Sequence, residues 1–202
     1  MVVFNNIIAG ASGATSGAAD DYEISRSLRF NSGDSAHLSR TPTSAGNRKT
    51  WTWSGWVKRA NPGTNEVFFS AGDDSSDDRT SRLRCYFVAD EIKLSFGGGN
   101  GSCSAAFTGP VYRDPSAWFH LVISVNTNES NISDAFKVYI NGVQTVSATS
   151  GGNVSYSTFD TPVNNNVVHE IGRRGNGSEY FNGYLADVHL IDGQALAASD
   201  FG

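Results

Sequence analysis

The sequence predicts an all-β protein built as a sandwich of two antiparallel sheets, and three observations support this class. The chain of 202 residues contains 22 glycines, and only 17% of its residues are charged, a composition typical of short strands joined by turns. Apolar and polar residues alternate in most of its segments, as they do in half-buried strands. Gly, Asn, Asp and Pro separate these segments at the intervals of a β-sandwich.

The N-terminal residues differ from the rest of the chain. Residues 8–21 are rich in Gly, Ala and Ser and lack apolar patterning, so we interpret 1–21 as an irregular arm or linker and 22–202 as the sandwich domain. An arm of this composition buries too little apolar surface to order itself. We expect it to pack either on a neighbouring subunit or against its own domain, and the sequence leaves both open.

Ten strands are predicted along the domain. In chain order they are residues 25–30, 50–58, 67–70, 83–88, 91–96, 118–125, 136–140, 143–146, 167–171 and 184–191. Asn141-Gly142 supplies the two residues with positive φ that a type I′ hairpin requires. The loops are predicted to include 97–104 and 147–153, and one weak helical turn is predicted at 195–200.

Charge and composition exclude several classes of function. The net charge of −5 and the pI of about 5.3 argue against a nucleic-acid-binding protein. No run of about 18 apolar residues occurs, so membrane insertion is not expected. Cys85 and Cys103 are too few for a disulfide scaffold. We interpret them as small buried side chains, with a single bridge between them as the alternative.

Three ordered sets of segments carry a family resemblance. They are Trp-Thr-Trp-Ser-Gly-Trp-Val-Lys at 51–58; Trp-Phe-His-Leu-Val at 118–122 with Lys-Val-Tyr-Ile-Asn-Gly-Val at 137–143; and Ile-Gly-Arg at 171–173 with Tyr-Phe-Asn-Gly-Tyr-Leu-Ala-Asp-Val at 180–188. Together they resemble laminin-G-like members of the concanavalin A-like lectin/glucanase superfamily. That resemblance implies a jelly-roll sandwich.

Three further segments are similar to a narrower group. Residues 4–8, 40–53 and 181–201 resemble predicted virion proteins of aquatic bacteriophages, in which such domains belong to tail fibres, spikes or other exposed parts of the particle. The resemblance implies a lectin-like tail fibre or spike module that attaches to host-surface glycans. The alternative is a structural decoration or connector protein of the capsid or tail, docked on other virion proteins through residues 1–21.

The same resemblance sets expectations for location and assembly. A virion protein of this kind is assembled in the cytoplasm of the bacterial host and is exposed on the capsid or tail. Because virion proteins reach strong attachment by multivalency, we expect a homo-oligomer, most simply a trimer.

Catalysis is not expected. Glycoside hydrolysis uses two carboxylates held close together, and the glucanases of this superfamily carry them on one strand. The sequence has no Glu-x-Asp-x-x-Glu motif, and it has no Gly-x-Ser-x-Gly nucleophile elbow. We therefore predict a non-enzymatic protein, with a glycan hydrolase as the distant alternative.

Strand periodicity suggests a glycan-binding surface. In residues 118–125, Trp118, His120 and Ser124 lie on the face opposite the apolar set, and in residues 50–58 the same alternation places Trp56 there. An aromatic ring covers the apolar face of a sugar, and nearby polar groups orient its hydroxyls. These four residues are the predicted glycan site. The alternative is that Trp56 and Trp118 pack under a loop.

An acidic loop provides a candidate metal site. Asp73, Asp74, Asp77 and Asp78 place four carboxylates within six residues, and Ca²⁺ prefers oxygen ligands. The spacing differs from that of an EF-hand loop, so a solvated acidic loop is the alternative. No cofactor is required by the predicted function, and Ca²⁺ is the one ion that this loop suggests.

Overall fold

The computed structural model describes residues 24–73, 78–98, 102–107, 111–145, 148–152 and 155–201. The predicted arm, residues 1–21, lies outside these ranges, as do Asp74 and Asp77. None of the helices within the described ranges has the length and hydropathy needed to cross a membrane.

The described residues form thirteen strands and three short helical segments. The strands are β1 (Leu28–Phe30), β2 (Leu38–Arg40), β3 (Thr50–Arg59), β4 (Glu66–Gly72), β5 (Arg82–Val88), β6 (Glu91–Phe96), β7 (Cys103–Phe107), β8 (Phe119–Asn126), β9 (Phe136–Ile140), β10 (Val143–Gln144), β11 (Thr149–Gly152), β12 (His169–Ile171) and β13 (Gly183–Asp192). The helix α1 spans Ile132–Ala135, and 3-10 turns cover Ser32–Asp34 and Ala198–Asp200.

The strands pair into two sheets. Sheet A has six strands in the order β1-β13-β3-β8-β9-β10, and sheet B has seven in the order β11-β7-β6-β5-β4-β12-β2. The pairs within both sheets are antiparallel. The predicted all-β fold with two antiparallel sheets is therefore confirmed.

The core lies between the two sheets, and strand alternation determines which residues enter it. On β3, Trp51, Trp53 and Val57 are fully buried, as predicted from the period of two. Sheet B contributes phenylalanines to the same core, and the rings of Trp53 and Phe68 lie 5.3 Å apart between centroids. Such tilted contacts are the usual geometry of packed aromatic side chains.

The sequence did not predict every element. The intervals 97–104 and 147–153 were expected to be loops, but β7 begins in the first and β11 lies in the second. The two strands pair with each other, with Ser104 opposite Gly151. β2 and α1 were also not predicted, whereas the turn expected at 195–200 is present as a 3-10 turn. Cys85 and Cys103 are buried free thiols, which confirms the first interpretation of the cysteines.

The C-terminal segment, residues 193–201, crosses the solvent side of sheet A. The Thr52 hydroxyl donates a hydrogen bond to the carbonyl of Gln194 at 2.7 Å and accepts one from the backbone N–H of Leu196 at 2.8 Å. Thr52 and Ser54 consequently have exposures of 0% and 1%, although they lie on the face opposite the core. This segment determines which part of that face remains open to a ligand.

Candidate functional site

The open part of the solvent side of sheet A carries a group of rings, Trp56, Trp118, His120, Tyr184 and His189, which we call the aromatic face. Trp56 of β3 lies opposite His120 of β8, and their ring centroids are 5.2 Å apart. Trp118 precedes β8, and its ring lies 6.3 Å from that of Tyr184 on β13. The structure therefore brings three of the four predicted glycan-site residues to one surface.

His120 is held by its neighbours in a neutral environment. Its Nε2 lies 2.9 Å from the Ser54 hydroxyl, and its backbone N–H donates to the side-chain oxygen of Asn141 at 2.8 Å. Burial lowers the pKa of His120, and the nearby imidazole of His189 lowers it further. At neutral pH the ring is thus an uncharged donor and acceptor, which suits the hydroxyl groups of a neutral sugar.

Phe201 limits the depth of the site. Its ring centroid lies 6.1 Å from that of His120 and 6.4 Å from that of His189. Together with Trp56 and Asp187 these rings enclose a hollow of about 30 Å³. Ligand pockets usually measure roughly 300–1,000 Å³, so this hollow can hold water but not a sugar ring. A ligand on this surface would lie across the rings rather than inside a pocket.

Ser124 does not belong to this group. It lies opposite Thr52, which the C-terminal segment covers, and its exposure is 5%. It lies four residue steps from His120 along β8, a distance of roughly 13 Å in a strand. Ser54 provides the hydroxyl group beside His120 instead. The alternation of β3 places Ser54 beside Trp56 on the same face, which is the signal that could have identified it.

The predicted calcium loop is described only at its two ends. Asp73 is exposed, and the Asp78 carboxylate accepts a hydrogen bond from the backbone N–H of Thr80 at 2.7 Å. That hydrogen bond lowers the pKa of Asp78. Among the described residues, no three His, Cys, Asp or Glu side chains are grouped as a metal site would require. Asp74 and Asp77 lie outside the described ranges, so calcium binding stays a prediction.

A buried ion cluster supports the strand that carries Trp56. The guanidinium of Arg59, at the end of β3, donates to Glu66 at 3.2 Å, to Asp90 at 2.9 Å and to the backbone carbonyl of Tyr112 at 2.8 Å. The backbone N–H of Tyr112 in turn donates to the carbonyl of Asp90. The cluster therefore anchors residues 111–118, the segment that leads to Trp118.

The two carboxylates of the cluster have different environments. Burial raises the pKa of Glu66, and the Arg59 charge only partly opposes this. Burial acts in the same direction on Asp90, but hydrogen bonds from the Gly63 backbone, Arg113 and Arg59 outweigh it and lower its pKa to about 2. Asp90 is thus firmly ionised at neutral pH, whereas for Glu66 burial outweighs the opposing Arg59 charge and keeps the pKa above its usual value.

The fold and a match to a family model point to the same family. Residues 30–200 match the laminin-G-like family model described as the concanavalin A-like lectin/glucanases superfamily. The chain belongs to this superfamily. The resemblance inferred from the sequence is thereby confirmed at the level of the superfamily. A comparison with curated protein sequences gives no match.

Several solved structures share this fold at low sequence identity. A K499G mutant of NanB sialidase from Streptococcus pneumoniae is 14% identical with a TM-score of 0.57, and the match covers 87% of this chain but only 26% of that one. The CBM40 of the Ruminococcus gnavus IT-sialidase, bound to alpha2,3 sialyllactose, is 11% identical with a TM-score of 0.52, covering 83% of this chain and 95% of that one. Domains LG4-5 of the mouse laminin alpha1 chain are 12% identical with a TM-score of 0.56, and the match covers 91% of this chain and 46% of that one. These likenesses show a lectin-like fold.

Proposed function

We propose that this superfamily member is a glycan-binding module and that its contact surface is the aromatic face. The observation that carries the proposal is the Trp56–His120 pair, whose rings lie 5.2 Å apart with the Ser54 hydroxyl at hydrogen-bond distance from the imidazole. An indole ring provides apolar contact for the C–H face of a sugar, and an imidazole held in place by the buried Ser54 hydroxyl can hydrogen-bond to its hydroxyl groups. A similarly folded CBM40 is bound to alpha2,3 sialyllactose, which supports glycans in general as the ligand class here.

The shape of the surface predicts how such binding is strengthened. Because the hollow beside Trp56 measures only about 30 Å³, a single site buries little of its ligand and binds weakly. Linking several weak sites raises the apparent affinity by roughly 10²–10⁴ when they engage together. This supports a homo-oligomer, with a trimer as the simplest arrangement.

The proposal includes a place for the module, a tail fibre or spike of a bacteriophage virion. The resemblance of residues 4–8, 40–53 and 181–201 to virion proteins of aquatic bacteriophages supports it. Antibodies against residues 24–201 should label the tips of fibres on phage particles in electron micrographs. Label over the capsid shell or tail body would instead favour the decoration or connector protein, docked through residues 1–21.

We propose further that the module is not catalytic. Three glutamates of the domain are engaged with arginines: Glu66 with Arg59, Glu170 with Arg173, and Glu179 with Arg84. Asp187 is the carboxylate that lines the hollow beside Trp56. A hydrolase of the common type needs a pair of carboxylates on the two sides of the scissile bond. Release of reducing sugar from a bound glycan would contradict this part of the proposal.

A glycan array followed by titration tests the binding proposal. The array should include neutral and sialylated glycans, and the strongest ligand is then titrated against Trp56→Ala. Trp56→Ala removes the ring that contacts the sugar. About half of the free energy of burying such a ring is roughly 1.4 kcal/mol, so we expect the Kd to rise about tenfold. Tyr180→Ala is the matched control, since Tyr180 bridges to Val67 of sheet B, away from the aromatic face. Equal effects of both substitutions would contradict the site.

A further inference from the structure

A second surface lies along one side of the sandwich, where the edge strands of the two sheets face each other. Three adjoining cavities of about 330, 220 and 410 Å³ line up there, and we call them the edge groove. The first and second share Leu38, Ile171 and Val188, and the second and third share Arg40, His169 and Leu190. The shared residues show that the cavities form one continuous groove, apolar for most of its length.

The edge groove exposes large apolar side chains that a free surface rarely keeps together. Leu28, Leu38 and Leu190 are 56%, 48% and 38% exposed, and all three line the groove. Isolated exposed leucines are ordinary, whereas a contiguous group of them marks an interaction surface. The groove is therefore suited to an occupant with apolar side chains.

Both strands that border the groove are sheet edges. β1 is the last strand of sheet A and β2 is the last strand of sheet B within the described part of the chain. Edge strands present backbone N–H and C=O groups that can pair with an added strand. An extended segment rich in β-branched and aromatic residues suits such a surface, because backbone pairing gives affinity and the side chains fill the cavities.

We propose that residues 2–8 of the same chain occupy the edge groove. This segment reads Val-Val-Phe-Asn-Asn-Ile-Ile, so five of its seven residues have large apolar side chains. Residues 9–19 are Ala, Gly, Ser and Thr and offer nothing of comparable size. The groove thus takes the apolar segment, and the small residues connect it to the domain.

The entry point of the chain favours occupation in cis. Arg26 and Ser27, which lead into β1, themselves line the groove. Fifteen residues, 9–23, separate the segment from the described domain, and a flexible linker of that length reaches about 20 Å by the usual scaling of about 5–6 Å times the square root of the number of residues. The length of the groove can be taken from β13, which runs along it. The five residue steps from Leu185 to Leu190 cover about 17 Å. The span of the linker thus matches the length of the groove. The effective concentration of residues 2–8 at the groove is therefore high, which favours the same chain over a second copy.

Cysteine cross-linking in the full chain tests the proposal. In Phe4→Cys/Leu38→Cys, a short thiol cross-linker should join the two residues within one chain, at a rate independent of protein concentration. The control is Phe4→Cys/Val143→Cys, since Val143 is 71% exposed but lies on β10, at the opposite edge of sheet A. The native thiols of Cys85 and Cys103 are buried and do not compete.

The cross-linking rates and the size of the product show which segment occupies the groove. Cross-linking at least tenfold faster in the Leu38 variant than in the Val143 variant supports the proposal. A product of two chains that forms faster at higher protein concentration would show that a second copy occupies the groove, and would overturn it. Equal rates in both variants, or no cross-link in either, would overturn it as well.

A second measurement does not depend on introduced cysteines. Phe4→Ser/Ile8→Ser should lower the melting temperature of the domain by a few degrees, because the bound segment stabilises the folded state, and should increase the fluorescence of an apolar dye several-fold, because the groove is uncovered. Adding Leu38→Ser to the same chain should reverse much of that increase. Dye binding that is the same with and without the segment substitutions would contradict occupation by residues 2–8.

Discussion

Replacing Arg59 by methionine tests how strongly the buried ion cluster holds the sandwich. The side chains of Arg59, Glu66 and Asp90 are 1%, 2% and 6% exposed, so water cannot replace the lost guanidinium. Removing one partner from a buried ion pair costs about 3–5 kcal/mol, because the remaining charge stays buried. For a domain of this size roughly 2–4 °C of melting temperature corresponds to each kcal/mol, so Tm should fall by roughly 6–20 °C.

The stability lost in Arg59→Met should also depend on pH and be smaller in acid. Burial raises the pKa of Glu66 even beside Arg59, and without Arg59 only the hydrogen bonds from Thr64 and Asn182 oppose that rise. A carboxyl whose folded pKa exceeds its unfolded pKa stabilises the protein most below the unfolded pKa, and that contribution disappears as the pH rises through the folded pKa. Arg59→Met should therefore be less destabilising at pH 4.5 than at pH 7.5.

Urea unfolding followed by tryptophan fluorescence at both pH values measures these differences. Arg113→Met is the matched control, because Arg113 also pairs with Asp90 but is 67% exposed. Because the Arg113 guanidinium lies in water, and Arg59 and the Gly63 backbone still donate to Asp90 in its absence, its loss should cost at most about 1 kcal/mol. A loss of 1 kcal/mol or less for Arg59→Met, similar to that of the control, would refute the reasoning about burial.

Three further predictions concern the same domain. Asp90 has a folded pKa of about 2, so its contribution to stability should be present above about pH 4 and lost as the pH falls to 2; Asp90→Asn should flatten this acid limb in thermal scans. Gly72 has a φ of +78°, and a Cβ there would overlap the Ser81 carbonyl, so Gly72→Ala should lower the free energy of unfolding in urea by roughly 2–5 kcal/mol. Gly63→Ala is its control: φ is +88° there but the space is open, so the loss should be roughly 1–2 kcal/mol. Burial raises the pKa of Cys85, so iodoacetamide at pH 8 should leave this thiol unmodified in the native protein by mass spectrometry and modify it after unfolding.

The sequence predicts strands well where large apolar residues alternate with polar ones. The predicted ranges 50–58 and 118–125 agree with β3 and β8 to within one residue at each end. β7, with the sequence Cys-Ser-Ala-Ala-Phe, and β11, with Thr-Ser-Gly-Gly, lack that contrast. β7 is a strand because it pairs with β6 on one side and β11 on the other, and β11 pairs with β7 across more than 40 residues of chain. Such pairing leaves no local pattern in either segment.

The candidate site shows the same contrast between local patterns, which the sequence reveals, and long-range contacts, which it does not. Alternation correctly separates Trp56 and His120 from the core residues of their strands, because the side-chain period of two is a local property. It also selects Ser124, which shares the face of His120. The C-terminal segment covers Ser124's neighbour Thr52 through two hydrogen bonds and leaves the aromatic face partly open. Which part of a sheet face a distant segment covers is a tertiary property, and no periodicity in β8 reports it.

The four tryptophans allow one direct test of the central claim, that glycans bind at the aromatic face. Trp51 and Trp53 are fully buried, whereas Trp56 and Trp118 lie on the aromatic face, so each indole N–H signal in an NMR spectrum reports a known position. Titration with the strongest glycan from the array should shift the Trp56 signal in proportion to occupancy and leave those of Trp51 and Trp53 in place. A saturating glycan that leaves the Trp56 signal unmoved would contradict the claim.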